Sequence, residues 1–158
     1  MIKLPKRINV KKFGLFLLAF GLGLLSPWML ADKILAQSSA ENPAGIIKGA
    51  TKEGFPYMSG GIGTGAREIM QSWGGNYNLK LTFSELSGNY LADVKLVLED
   101  ANGKEVISTM TNGPWFYIQL PPGNYTVKAD FEGETKQIKN LRLAKAERVT
   151  RLLHWDLD

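Results

Sequence analysis

The chain has a single histidine, His154, two residues before Asp156 and four before Asp158. On an extended strand these three positions share a face, which makes a His-x-Asp-x-Asp metal site conceivable. Metal sites want three or four converging ligands oriented by further hydrogen-bonded groups. A strand-end histidine followed by a solvated acidic tail is therefore the better account. Asp100-x-Asn102-Gly103 has the opening of a calcium loop but lacks the distal bidentate glutamate, and Asn-Gly alone explains it as a hairpin turn. Gly61-x-Gly63-x-Gly65, ahead of a helical pattern, offers free N–H groups to a phosphate. No strand of a βαβ unit precedes it, and its spacing departs from the dinucleotide fingerprint. It reads as a glycine turn that lets the N-terminal segment lie against the rest of the domain. With no cysteine in the chain, disulfides, thiolate zinc sites and thiol nucleophiles are excluded. No catalytic set, metal site or cofactor is expected.

The strongest candidate is the aromatic run Trp115-Phe116-Tyr117. Successive side chains of a strand alternate between faces, so the three rings cannot all point inward. If Phe116 is core, Trp115 and Tyr117 lie on the opposite face. They are then either covered by the Phe55–Trp73 segment, the better-supported alternative, or exposed as a stacking surface for sugar or peptide. Tyr57, Trp73 and Tyr90 can complete either cluster.

The elements that hold these residues follow from periodicity. Thr64 is expected to cap a short helix from Gly65 to about Trp73, with Ile69, Met70 and Trp73 on its apolar face. From Leu79 the period becomes two. Leu79, Leu81 and Phe83 alternate with Lys80, Thr82 and Ser84, and Val94, Leu96 and Leu98 with Lys95, Val97 and Glu99. Further strands are expected over 104–111, 115–120, 125–131, 134–143 and 147–155, parted by Asn102-Gly103, Asn112-Gly113-Pro114, Pro121-Pro122-Gly123 and Gly133. The sum is an all-β fold: a seven-stranded antiparallel sandwich preceded by one short helix.

Charge and hydropathy divide the chain. Residues 1–36 hold Lys3, Lys6, Arg7, Lys11, Lys12 and Lys33 against Asp32, more than the whole of the net +4. The remainder is slightly acidic and has no basic excess with which to neutralise phosphates, which excludes nucleic-acid binding. A basic segment followed by the unbroken apolar run 13–25 reads as an export signal cut after Ala36, with Ala40 the next candidate site. The rival is an uncleaved anchor over 13–31. Either version places the later residues outside the inner membrane, with membrane contact only through the N-terminal segment. Residues 37–54 read as a flexible linker, 55–76 as an extended segment plus helix packing on the domain, and 77–156 as the sandwich.

The segments Tyr57-x-Ser59-Gly60-Gly61-x-Gly63, Tyr77-Asn78-Leu79-Lys80-Leu81, Gly88-x-Tyr90-Leu91-Ala92-Asp93-Val94, Gly113-Pro114-Trp115, Leu120-Pro121-Pro122-Gly123-x-Tyr125-Thr126-Val127 and His154-Trp155-Asp156 are together similar to those of small exported bacterial carboxypeptidase regulatory-like, or transthyretin/prealbumin-like, domain proteins. The resemblance spans about residues 54–156. It implies a Greek-key sandwich in the periplasm of Gram-negative bacteria and no established activity. In metallocarboxypeptidases this type of domain is the non-catalytic appendage. Hydrolases that share a transthyretin-like fold use a His/Arg constellation and a Tyr-Arg-Gly-Ser terminus, whereas this chain ends Asp156-Leu157-Asp158.

Three functions are consistent with this. The first is a non-enzymatic interaction domain for a polypeptide or envelope component, working through a sheet edge or the aromatic face. The second is a carbohydrate-binding module for cell-wall or exported polysaccharide. The third, resting only on His154 with its acidic neighbours Asp156 and Asp158, is a metal-dependent hydrolase.

Overall fold

The computed structural model describes residues 45–145 and 147–157. The expected export segment and its candidate cleavage sites, residues 37–44 of the expected linker, and Asp158 lie outside them. The described chain is mostly β, in two sheets with one short helix, an arrangement consistent with an all-β sandwich. Nine strands are present among the described residues: β1 Ile47–Ala50, β2 Pro56–Gly60, β3 Leu79–Glu85, β4 Lys95–Glu99, β5 Glu105–Met110, β6 Trp115–Ile118, β7 Gly123–Phe131, β8 Glu134–Leu143 and β9 Val149–Trp155. A five-stranded sheet has the order β1-β2-β6-β3-β9, and a four-stranded sheet β5-β4-β7-β8.

Strands β3 to β9 fall where the period-two pattern puts them, and β1 and β2 are additional to the seven expected. They form a hairpin, with Ile47 opposite Ser59 and Ala50 opposite Pro56, and β2 then pairs with β6. Ile47–Ala50, within the expected linker, are thus part of the sheet. Their backbone groups find partners across strands, which a run this short does not advertise by hydropathy. The sheets also depart from an all-antiparallel arrangement, since β3 and β9 run parallel, Leu79 beside Val149 through Glu85 beside Trp155. A parallel pair needs a long connection. Here the intervening chain supplies it by crossing to the four-stranded sheet and back.

The inward residues of both sheets meet in one core. Leu79, Leu81, Phe83, Phe116, Ile118, Leu153 and Trp155 come from one sheet, and Leu96, Leu98, Val127, Ala129, Leu141 and Leu143 from the other. Burying such aliphatic and aromatic side chains stabilises by roughly 1.5–3 kcal/mol each before chain entropy is counted. Asn78 locks one end of this layer. Its buried amide donates to the Leu120 carbonyl at 2.7 Å and accepts from the Leu120 N–H at 3.0 Å, closing a ladder that the following prolines cannot extend.

A second apolar layer lies on the other side of the five-stranded sheet. Helix α1, Thr64–Trp73, places Ala66 and Met70, four apart, onto Met58 and Tyr117, with Ile69 and Trp73 beside them. Gly63, at φ +81°, takes the N-cap position in place of Thr64, because only glycine reaches that conformation easily. The Thr64 hydroxyl instead accepts a hydrogen bond from Arg67. Gly74 ends the helix against Tyr117. A Cβ at Gly74 would stand 3.1 Å from that ring, so glycine lets helix and sheet approach.

Candidate functional site: the outer face of the five-stranded sheet

The strand pairings lay this face out as three rows. Across the first run Lys48, Met58, Tyr117, Lys80 and Thr150, and across the second Gly60, Trp115, Thr82 and Leu152. The third is Tyr90, Ser84 and His154, joined by a bridge beyond the end of β6. Helix α1 covers the β2–β6 part of this grid. The helix leaves the β3–β9 part uncovered: Thr150, Leu152, His154 and the neighbouring Tyr90 are exposed, Lys80 and Thr82 half-buried, and Ser84 buried between Tyr90 and His154.

The five aromatic candidates separate on this grid. Trp115 and Tyr117 share the face opposite Phe116, their rings edge to face at 6.2 Å. Tyr117 is only 1% exposed, sealed beneath the helix, and burial raises its pKa above the ordinary tyrosine value. Trp115 and Trp73 are partly buried at the edges of the same apolar layer. Tyr57 is not part of this group. It lies on the inner side of β2, stacked on Phe116 at 5.5 Å, because its pairing with Ile118 gives it the parity of the core. Tyr90 is exposed, with the Arg67 guanidinium 5.1 Å from its ring centre.

Cations line this face, and rings or backbone carbonyls hold them. The Lys48 ammonium sits 3.2 Å above the Trp73 ring, and that of Lys80 lies 3.4 Å above Trp115 and 5.3 Å from Tyr117. In the first row these lysines are three strand spacings apart, about 14 Å, which admits one helix of about 10–12 Å with its side chains. Each lysine therefore flanks the helix and rests on a tryptophan at its edge. Arg148 donates to the Tyr77 carbonyl at 3.1 Å and to that of Gly74. Burial, and then the nearby charge of Arg148, holds the Lys80 pKa below its ordinary value. Among the described residues no carboxylate forms an ion pair with Lys48, Arg67, Lys80 or Arg148.

His154 pairs with Ser84 across the parallel strands, Nδ1 to Oγ at 3.0 Å. Among the described residues no carboxylate hydrogen-bonds to the imidazole, so the pair lacks the third group that orients a base beside an activated serine. No group of three histidine or acidic side chains able to hold a metal is gathered among them either. Asp100 accepts from the Asn102 and Lys104 N–H groups at 2.8 and 3.0 Å, which accounts for it as a turn residue.

Lys48, Arg67, Lys80, Arg148 and Leu152 were not singled out by sequence. Alternation along β3 places Lys80, Thr82 and Ser84 outward, but what lies beside them depends on β6 and β9, distant in the chain.

No protein-family model matches the chain, and no curated protein matches it.

Proposed function

We propose that this chain is an exported, non-enzymatic interaction domain, a Greek-key sandwich of the carboxypeptidase regulatory-like kind, that holds an envelope component on the uncovered β3–β9 part of the outer face. The observation that carries this reading is the composition of that strip. Its outward residues on β3 and β9 are Lys80, Thr82, Ser84, Thr150, Leu152 and His154, with Leu152 49% exposed and no carboxylate among them. Free-standing surface normally mixes both signs of charge, and a strip whose one charge is the Lys80 cation, with an exposed leucine at its centre, suits a partner of acidic character. The basic N-terminal run followed by an apolar stretch supports export.

The test is a photo-crosslinking residue placed at Leu152 of the full-length chain in intact cells, compared with one at Ser108, exposed on the outer side of the four-stranded sheet. An adduct with an envelope component from position 152 alone is expected. Equal adducts from both positions, or none from 152, count against the strip as the contact surface. Recovery of the chain from the cytoplasm rather than the envelope would remove the export half of the proposal.

A further inference from the structure

The chemistry of the strip is specific enough to name a ligand class, an inference that rests on the strip being the contact surface. Positive charge stands at both ends. Lys80, with Arg148 nearby, marks one end, and Arg67 beside Tyr90 the other, four residues further along β3 and so about 13 Å away. Thr82 presents a hydroxyl between them, and Thr150 presents another beside Lys80. The nearest acids along β9, Glu147 and Asp156, stand outside its two ends.

Three classes of polyanion have to be told apart. Nucleic acid is disfavoured because its phosphates recur at every nucleotide, whereas the strip holds cations only at its two ends. An extended acidic peptide gains affinity mainly by pairing its backbone with a sheet edge. β9 is the edge strand of its sheet, where such a peptide would pair alongside β9 and beyond the outward side chains; lying across the strip it would leave its own N–H and C=O groups unpaired. A glycan carries its polar groups on its rings. Its hydroxyls can meet threonine hydroxyls, its carboxylates can meet ammonium and guanidinium groups, and a ring can lie on the open side of Tyr90.

From this geometry we infer that the strip binds an acidic, carboxylate-bearing polysaccharide, its carboxylates meeting Lys80 and Arg67 and its hydroxyls meeting Thr82 and Thr150.

Affinity electrophoresis of the full-length chain in mild detergent tests this, with polygalacturonate, neutral dextran or polyglutamate in the gel. Retardation by polygalacturonate, and little by the other two, is expected. Thr150→Glu sets a carboxylate beside Lys80 at an exposed position and should weaken the interaction about tenfold, the size of effect a single well-placed interfacial charge produces. Ser108→Glu should leave it unchanged, Thr150→Gln, which removes one hydroxyl without adding charge, should weaken it less than Thr150→Glu does, and all three variants should melt with the parent.

Equal retardation by dextran, or an unaffected Thr150→Glu variant, overturns the inference. So does retardation by polyglutamate as strong as by polygalacturonate, which would make the ligand a peptide while leaving the strip as the contact surface. If no polymer retards the chain, the glycan is wrong whatever crosslinking at position 152 reports. Crosslinking then separately decides whether the strip is used at all.

Discussion

In the four-stranded sheet, two lysines find carboxylates. Lys128 meets Glu99 at 2.6 Å across β7 and β4, and Lys136 meets Glu134 along β8. In the five-stranded sheet the corresponding cations lie on aromatic rings, Lys48 on Trp73 and Lys80 on Trp115. The same alternation of inward apolar and outward polar residues underlies both. What differs is the second layer. A helix packed on one sheet removes water from its outer face, and tryptophans at the margin of that apolar layer then offer a lysine its contact. The bare outer face stays wet, where a carboxylate is the ordinary partner. One face has thus become partly interior, and its remaining uncovered part has become one-signed.

The comparison can be broken most severely at Gly113. A Cβ there would lie 2.4 Å from the Gly60 carbonyl oxygen and 2.6 Å from its carbon, both backbone atoms with nowhere to retreat. This close approach seats β2 on β6, and with it the helix that follows β2. Beside it the Asn112 N–H donates to Ser59 Oγ at 2.8 Å. Gly113→Ala is expected to cost about 3 kcal/mol or more, the range of severe overpacking. Ser108→Ala, exposed on the other sheet, should change stability by less than about 0.5 kcal/mol. Urea midpoints with unchanged slopes measure both. A Gly113→Ala midpoint close to the parent's would mean that β2 is not held by this contact.

Gly113 also shows how much of the molecule was legible in the sequence. Strands β3 to β9 and their inward residues could be read because each carries its own period-two pattern. Gly113-Pro114 was legible as a turn, but not as the place where two backbones meet, since Gly60 lies more than fifty residues earlier. The helix was visible from Ile69, Met70 and Trp73. Strand β1 was not, because Ile47-Lys48-Gly49-Ala50 becomes a strand only through its pairing with β2. Tyr57 was grouped with Trp115 on residue type. Its parity relative to Phe116 is fixed by register with a distant strand, which hydropathy in Pro56–Gly60 does not encode. The cations of the candidate site were unreadable for the same reason. Lys80 is an ordinary outward strand lysine until Trp115 and Arg148 are placed beside it.

Alkaline pH sharpens the comparison without mutation. Burial raises the pKa of Tyr77 and Tyr117 in the covered layer, and of Tyr125 in the core, above the reference value of 10.0. A tyrosine with a raised folded-state pKa keeps its proton longer folded than unfolded. Its contribution is fully present below pH 10 and is lost as pH rises from there through the folded pKa. Lys80 acts in the opposite sense. Its folded-state pKa is lowered from 10.5, so stability gains as pH climbs through that lowered value. Three tyrosines against one lysine predict a net fall in stability above pH 10, followed by urea titration at successive pH values. Tyr117→Phe should make that fall shallower. An unchanged slope would mean the Tyr117 hydroxyl reaches water.

The smallest effect separates the two ways of holding charge. Lys80 is lodged where burial and Arg148 disfavour its charge, opposite the contact its ammonium makes with the Trp115 ring. Lys80→Met retains a chain that can cover the rings and removes that charge. It is expected to raise stability slightly, by less than about 1 kcal/mol, since a cation–π contact at a partly exposed site is itself worth only about 0.5–1. Lys128→Met leaves Glu99 without its partner, and should lower stability by about 0.5–1 kcal/mol, in the range of partly exposed ion pairs. Salt should shrink both changes, because repulsion from Arg148 and attraction to Glu99 are screened alike. The discriminating result is the sign. Urea midpoints at low ionic strength that move in opposite directions support the contrast between the sheets. A loss from Lys80→Met as large as that from Lys128→Met would mean that the ring contact stabilises the charge as well as a carboxylate does.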